Sequence, residues 1–246
     1  MDIQPLEQLI KKLELNPQER SGHIYHPIPF PEFNHLTVSS NHKEVYKKWD
    51  KILDTSNQLF GYDLSGKKVL DIGANAGFYS FNFVKQGAKV TAFEPHQVYS
   101  EIAAAIIHHK KLSSSIWWRN GVYDRNVELP AAEFDIGLLL STYQWMAAGG
   151  ENMEYATESL RDISTKVRYL FFELGYNHGN SHLKSPKFNH YAYLIRHLRM
   201  HTRYRYFKLI GKTRLWKNNT RYLMLCSNDP KWDDHFLRRI ISRIHI

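Results

Sequence analysis

The run Val69-Leu70-Asp71-Ile72-Gly73-Ala74-Asn75-Ala76-Gly77 constrains the fold more than any other stretch of the chain. Apolar residues enter a turn built around two glycines, and a helical stretch, Phe78 to Lys85, leaves it. Such a passage is a strand, a tight turn and a helix. Gly73 lets the backbone turn sharply and approach a ligand, and Gly77 lets the following helix pack close. Asn75 is the non-glycine type best able to take a left-handed conformation there. Around this turn the pattern alternates. Strands are predicted at 68–72, 89–94, 115–118, 134–140 and 167–174, and helices at 78–85, 98–109 and 153–163. That order implies a parallel sheet covered on both faces, with the apolar run Phe134 to Leu140 as a central strand.

The flanks differ. Leu6, Leu9, Ile10 and Leu13 recur at helical spacing, and Val45, Trp49, Ile52, Leu53, Leu59 and Phe60 form a second apolar stripe. Between them His26-Pro27-Ile28-Pro29-Phe30-Pro31 forbids a regular helix and predicts an extended loop. Residues 1–66 thus read as a helical N-terminal cap and 67–230 as the main domain. Near the end a helix is expected at 188–200, then strands at 204–210 and 221–227 joined across Lys217-Asn218-Asn219. This hairpin implies one antiparallel strand at the sheet edge. Trp232, Phe236, Leu237, Ile240, Ile241 and Ile244 mark an amphipathic helix over 231–246. Its three off-stripe arginines are too few for a polybasic membrane patch, so docking on the domain is expected.

With 43% hydrophobic and 23% charged residues the chain is not disordered. No run of 18 apolar residues exists, so no transmembrane helix is expected. Cys226 alone excludes an internal disulfide and a Cys-rich zinc site, and the N-terminus lacks the apolar segment of a signal peptide. A cytoplasmic setting is the expectation. The net charge of +9 is uneven: residues 184–246 hold 15 Lys and Arg against 3 Asp and Glu. Either an anionic partner or a solvated basic face accounts for this.

Glu94 closes the second strand, 21 residues after Gly73, where an acid can accept both hydroxyls of a ribose. A dinucleotide fingerprint would need G-x-G-x-x-G, which is absent. Asp71, two residues before Gly73, would repel a phosphate and suit a cationic amino-acid group. S-adenosylmethionine is therefore favoured over a nicotinamide dinucleotide.

On these residues the stretch 67–227 resembles the class I S-adenosylmethionine-dependent methyltransferases. Asp71-Ile-Gly-Ala-Asn-Ala-Gly-Phe-Tyr-Ser with Phe93-Glu94-Pro95 is similar to the FkbM type, although Leu139 to Met146 replaces that type's D-x-E-G segment. That segment and Lys47-Lys48-Trp49 look more like sugar or tRNA-wobble methyltransferases. The resemblance implies a Rossmann-like α/β fold, a mostly parallel seven-stranded sheet with an antiparallel C-terminal hairpin strand. It also implies that Asp71, Gly73, Asn75 and Gly77 line the methionine end of the cofactor. Glu94 would bind the ribose, Pro95 and His96 would flank the adenine, and Asn120-Gly121 would meet its ring edge or simply form a turn. Ser141 is placed with these cofactor-facing positions.

Ser141-Thr142-Tyr143-Gln144-Trp145 follows the fourth strand, at the end where open α/β sheets bind ligands. It lacks the Asp/Asn-Pro-Pro-aromatic signature of adenine-N6 methylation, and no cysteine is placed for cytosine-C5 chemistry. A hydroxyl of a small molecule or glycan is the favoured acceptor. Tyr143 and Trp145 either stack on it or pack under a loop. A hydroxyl acceptor gains from a general base, for which Glu173 and His178 are candidates beside structural roles for both. His178 and His182 have no neighbouring carboxylate, so no metal is expected. The basic segment Arg196 to Arg221, interleaved with Tyr204, Tyr206 and Trp216, would suit RNA, a phosphorylated glycan or no partner at all. An RNA methyltransferase and a non-catalytic Rossmann-like binding protein are the alternative readings.

Overall fold

The lysine that opens each of the first two strands is exposed and every residue after it is buried, so these strands are covered on both faces. They are β1 (Lys68–Ile72) and β2 (Lys89–Glu94), which pair in parallel with Val69 opposite Val90. β3 (Ile116–Asn120) adds to β2 in parallel. The computed structural model describes residues 4–14, 26–36, 42–148, 151–175, 190–215 and 219–233. The chain divides into two compact units, Met1–Tyr123 with Glu128–Pro130, and Asp124–Val127 with Ala131–Ile246.

In the first unit α3 (Phe78–Lys85) carries little amphipathic pattern because it is buried all round. One side lies on β1 and β2. The other meets the 26–36 segment and α2 (His42–Phe60), while α1 (Gln4–Glu14) packs on the helix Gln97–His109. Phe30 stands 5.6 Å from Phe81, Trp49 5.0 Å from Phe83 and Tyr46 5.3 Å from Phe78. Lys85 donates to the Pro29 carbonyl, and Lys110 pairs with Glu32 at 2.6 Å. The proline-rich stretch is not extended throughout: it bends at His26, Pro29 and Phe30, where the Phe30 N–H turns back onto the Ile28 carbonyl at 2.9 Å, and Pro31 then opens a 3-10 turn, Pro31–Leu36. Proline suits that place because the first N–H of a helical turn is unpaired anyway. Phe33, 1% exposed, anchors this turn. Phe33→Ala is expected to cost roughly 3–5 kcal/mol of stability, read as a lowered denaturation midpoint.

In the second unit β4 (Phe134–Leu140) and β5 (Val167–Glu173) pair in parallel. β6 (Tyr206–Leu215) and β7 (Asn219–Ser227) form the hairpin, and β7 pairs antiparallel with β5. The sheet order is β3-β2-β1-β4-β5-β7-β6, seven strands in an α/β arrangement with a C-terminal hairpin, as expected. The antiparallel strand is not at the edge, however: β7 lies inside and β6 is outermost. The reason is compositional. Leu223 to Cys226 is an unbroken buried apolar run, whereas β6 mixes Lys208 and Lys212 with its apolar residues. Ile210 is an extra residue between the pairs Leu209–Met224 and Gly211–Leu223, a bulge that resets the register.

The helices α4 (Gln97–His109), α5 (Tyr143–Met146), α6 (Met153–Lys166) and α7 (His190–His201) complete the two units. No helix among the described residues is long and apolar enough to cross a membrane. Pro230–Trp232 is a 3-10 turn whose Asp229 side chain accepts the Lys231 N–H. The rest of the helix expected over 231–246, and the turn at Lys217-Asn218, lie outside the described residues.

Candidate functional site

The turn after β1 uses left-handed backbone at Gly73 (φ +75), Asn75 (φ +53) and Gly77 (φ +91). At Gly77 glycine is obligatory twice over, since a Cβ there would also meet the Phe81 ring at 2.5 Å. The N–H groups of Gly73 and Ala74 both reach the Phe93 carbonyl, tying the turn to the end of β2.

Two buried carboxyl groups flank this turn. Asp71 accepts from the Ser80 hydroxyl at 2.7 Å. Burial, opposed by that bond and reinforced by the charge of Glu94, pushes Asp71 up from 3.8 to about 7. Glu94 accepts the Asn75 N–H on Oε2 at 2.7 Å and the His96 N–H on Oε1 at 2.8 Å. Burial holds it above the usual carboxylate range in spite of both bonds. Neither carboxyl has a Lys or Arg partner among the described residues. The Asn75 Oδ1 is buried with no hydrogen-bond partner among the described residues. Together these groups can hold a ligand that is cationic, carries N–H donors and presents hydroxyls. The aminoacyl and ribose parts of S-adenosylmethionine meet that description.

Of the remaining expected cofactor positions, Pro95, His96, Asn120 and Gly121 lie in the first unit and Ser141 in the second. Pro95 is exposed and His96 half-buried, its Nδ1 accepting the Tyr99 N–H at the start of α4. The Asn120 amide donates to Gln97 Oε1, and the Gly121 N–H to the Glu94 carbonyl at 3.0 Å.

A second polar cluster sits where β4 and β5 end. Glu173 is wholly buried. Its Oε1 accepts the Ser141 hydroxyl at 2.5 Å and lies 3.9 Å from Arg221 Nη1, and its Oε2 accepts from Thr213 at 3.4 Å. Arg221 Nη1 also donates to Ser141 Oγ at 2.8 Å. The sheet explains the convergence: Glu173 pairs with Leu223, and Arg221, two residues along β7, emerges on the same face. Thr213 is the cross-strand partner of Arg221. Arg221 and Thr213 are members that the sequence did not single out.

Tyr143 is buried, its hydroxyl 2.7 Å from His197 Nε2 and its ring 5.7 Å from Phe172. Burial pushes the phenol up and His197 down to about 4, so both are neutral at pH 7. Gln144, also buried, donates to the Ser141 carbonyl at 2.6 Å and accepts the Gly175 N–H at 3.1 Å. Trp145 is 53% exposed. His178 and His182 lie outside the described residues.

Three cations of the basic C-terminal segment lie over aromatic rings, Arg199 and Lys212 among them while remaining exposed. Lys208 lies 4.7 Å from the Trp232 ring centre, Lys212 5.7 Å from that of Tyr222 and Arg199 6.0 Å from that of Phe207. Tyr204 is buried with its hydroxyl on the Val167 carbonyl. Arg203 and Arg205 are exposed.

No protein-family model matches the chain, and no curated protein matches it in sequence. Solved structures do. WbdD, a bifunctional kinase-methyltransferase, superposes with TM-score 0.66 at 19% identity over 91% of this chain and 47% of its own. The chain thus spans about half the length of WbdD. The N-terminal domain of EvdMO1 with S-adenosylhomocysteine bound superposes with TM-score 0.59 at 11% identity, over 92% of this chain and 97% of that domain. The same domain in the presence of S-adenosylhomocysteine and D-fucose gives TM-score 0.58. At these identities the likeness is one of fold, and the chain has a methyltransferase-type α/β fold.

Proposed function

We propose that the chain is an S-adenosylmethionine-dependent methyltransferase acting on a hydroxyl of a sugar-type acceptor. The observation that carries this reading is the pair of buried carboxyls without a Lys or Arg partner among the described residues, beside an Asn75 Oδ1 that has no hydrogen-bond partner among them, at the glycine turn. The fold shared with WbdD and with a domain that binds S-adenosylhomocysteine supports it, and the D-fucose study of that domain supports the acceptor class.

In this reading Asp71 and Asn75 receive the ammonium, and Glu94 receives the ribose hydroxyls on its remaining lone pairs. When bound, S-adenosylmethionine supplies an electrophilic methyl group on a sulfonium. The protein's part is to orient the acceptor oxygen and take its proton. Glu173 is the proposed proton holder, and the buried Tyr143–His197 pair braces the segment after β4.

Calorimetric titration of the intact protein with S-adenosylhomocysteine tests the cofactor assignment. Saturable one-to-one binding is expected, with a melting temperature that rises with ligand concentration. Heats indistinguishable from buffer at millimolar ligand, with an unmoved melting temperature, would leave a non-catalytic sheet protein as the better reading.

A further inference from the structure

Glu173 is fully buried and cannot touch an acceptor itself, and Arg221 and Thr213 are 6% and 7% exposed. Ser141 is the partly exposed member of this cluster among the described residues. Its backbone is held in the left-handed region at φ +55, a cost that a non-glycine residue bears where the surroundings enforce it. The Ser141 N–H is fixed on the Glu173 carbonyl at 2.8 Å, and its own carbonyl is fixed by Gln144. A serine hydroxyl has one proton and two lone pairs. Here the proton is given to Glu173 and one lone pair takes the Arg221 N–H. What remains is one lone pair, which can receive only a donor, and an acceptor alcohol is such a donor.

We propose that Ser141 is a catalytic residue that relays the acceptor's proton to Glu173, with Arg221 as the positioning residue that orients its hydroxyl; this rests on the hydroxyl-methylating reading above. As the acceptor oxygen bonds to the methyl carbon, the carbon–sulfur bond breaks and its electron pair stays on the thioether sulfur. The acceptor's proton passes to Ser141 Oγ while the Ser141 proton passes to Glu173 Oε1. The products are the methyl ether, the thioether and a protonated Glu173, which returns its proton outward through Ser141.

The test is transfer of tritiated methyl from S-adenosylmethionine to a monosaccharide panel that includes D-fucose, with S-adenosylhomocysteine titration in parallel. Ser141→Gly removes the hydroxyl but suits the left-handed backbone, so the fold is retained. It should lower kcat by at least about a hundredfold and abolish the acid limb of the pH–rate profile, with S-adenosylhomocysteine affinity kept. Arg221→Gln should move that limb to higher pH, because a neighbouring cation favours the ionised carboxylate. A Ser141→Gly enzyme with wild-type kcat and an unchanged profile overturns the relay. So does a matching loss of S-adenosylhomocysteine affinity, which would assign Ser141 to the cofactor instead. Wild-type protein that binds S-adenosylhomocysteine but methylates no hydroxyl overturns the relay alone. Absence of that binding removes the cofactor reading and the relay together.

Discussion

Glu94→Ala is expected to weaken S-adenosylhomocysteine binding by at least about a hundredfold. Hydrogen bonds to a charged group contribute about 1.5–3 kcal/mol each, and every 1.4 kcal/mol is a factor of ten in affinity. Two ribose hydroxyls on one buried carboxylate therefore give a hundredfold as the lower end. The truncation acts a second time through the turn. The Asn75 and His96 N–H groups both end on this carboxylate, and they lose their shared partner. Glu94→Gln separates the two contributions, since its amide oxygen can keep one of these N–H bonds while the charge is gone. Calorimetry should rank the affinities wild type, Gln, Ala. An Ala variant that binds as tightly as wild type would remove Glu94 from the cofactor site and leave it only a turn-bracing role.

The parts of this fold legible in the sequence are those whose signal is local. β1, β2 and β4 run from Lys68, Lys89 and Phe134 to Ile72, Glu94 and Leu140, the limits that apolar runs and the following turns predict. α3 is legible for the same reason: it starts at the residue after Gly77. The order of the hairpin strands is not local. Whether β7 or β6 meets β5 depends on which strand buries both faces. The contrast between Leu223-Met224-Leu225-Cys226 and the lysine-bearing β6 carries that information, but only once the hairpin is treated as part of the sheet. The short α5 and the 3-10 turn at Pro31 fall below the length at which periodicity is readable.

The two polar clusters divide in the same way. Asp71, Asn75 and Glu94 lie within one β-α-β unit, and a single turn with an acid at a fixed distance brings them together. The Glu173 cluster draws on positions 141, 173, 213 and 221, and Arg221 reaches Ser141 across 80 residues of sequence. Its membership depends on the β5–β7 register and on the bulge at Ile210. Arg221 read as one more cation of a basic segment, yet an arginine opening an apolar inner strand cannot remain buried without an acid opposite it. That was the available signal. Tyr143 shows the converse: its place after β4 leaves stacking and packing under a loop both open, and the structure shows it buried with its hydroxyl on His197.

The affinity for S-adenosylhomocysteine should also rise with pH, by up to tenfold per unit between pH 5 and about 7. Asp71 titrates near 7 in the unliganded protein because burial disfavours its charge. A ligand ammonium beside it favours the ionised form, so binding below that pH expels a proton and is weakened accordingly. Above about 7 the carboxylate is already charged and the dependence flattens. Stability of the free protein runs the other way. Asp71 has its folded value raised above 3.8, so its contribution is complete below about pH 4 and is lost as pH rises through about 7. Between pH 5 and 8 the unliganded melting temperature should therefore lose the Asp71 share while the ligand-induced rise in melting temperature grows. Asp71→Asn imitates the protonated acid at every pH. Its affinity should be weak and flat, near that of wild type at pH 5, and its unliganded stability should no longer carry this slope. A wild-type affinity that is level from pH 5 to 8, or an Asn variant that keeps the slope, would show that Asp71 does not face the cationic end of the ligand.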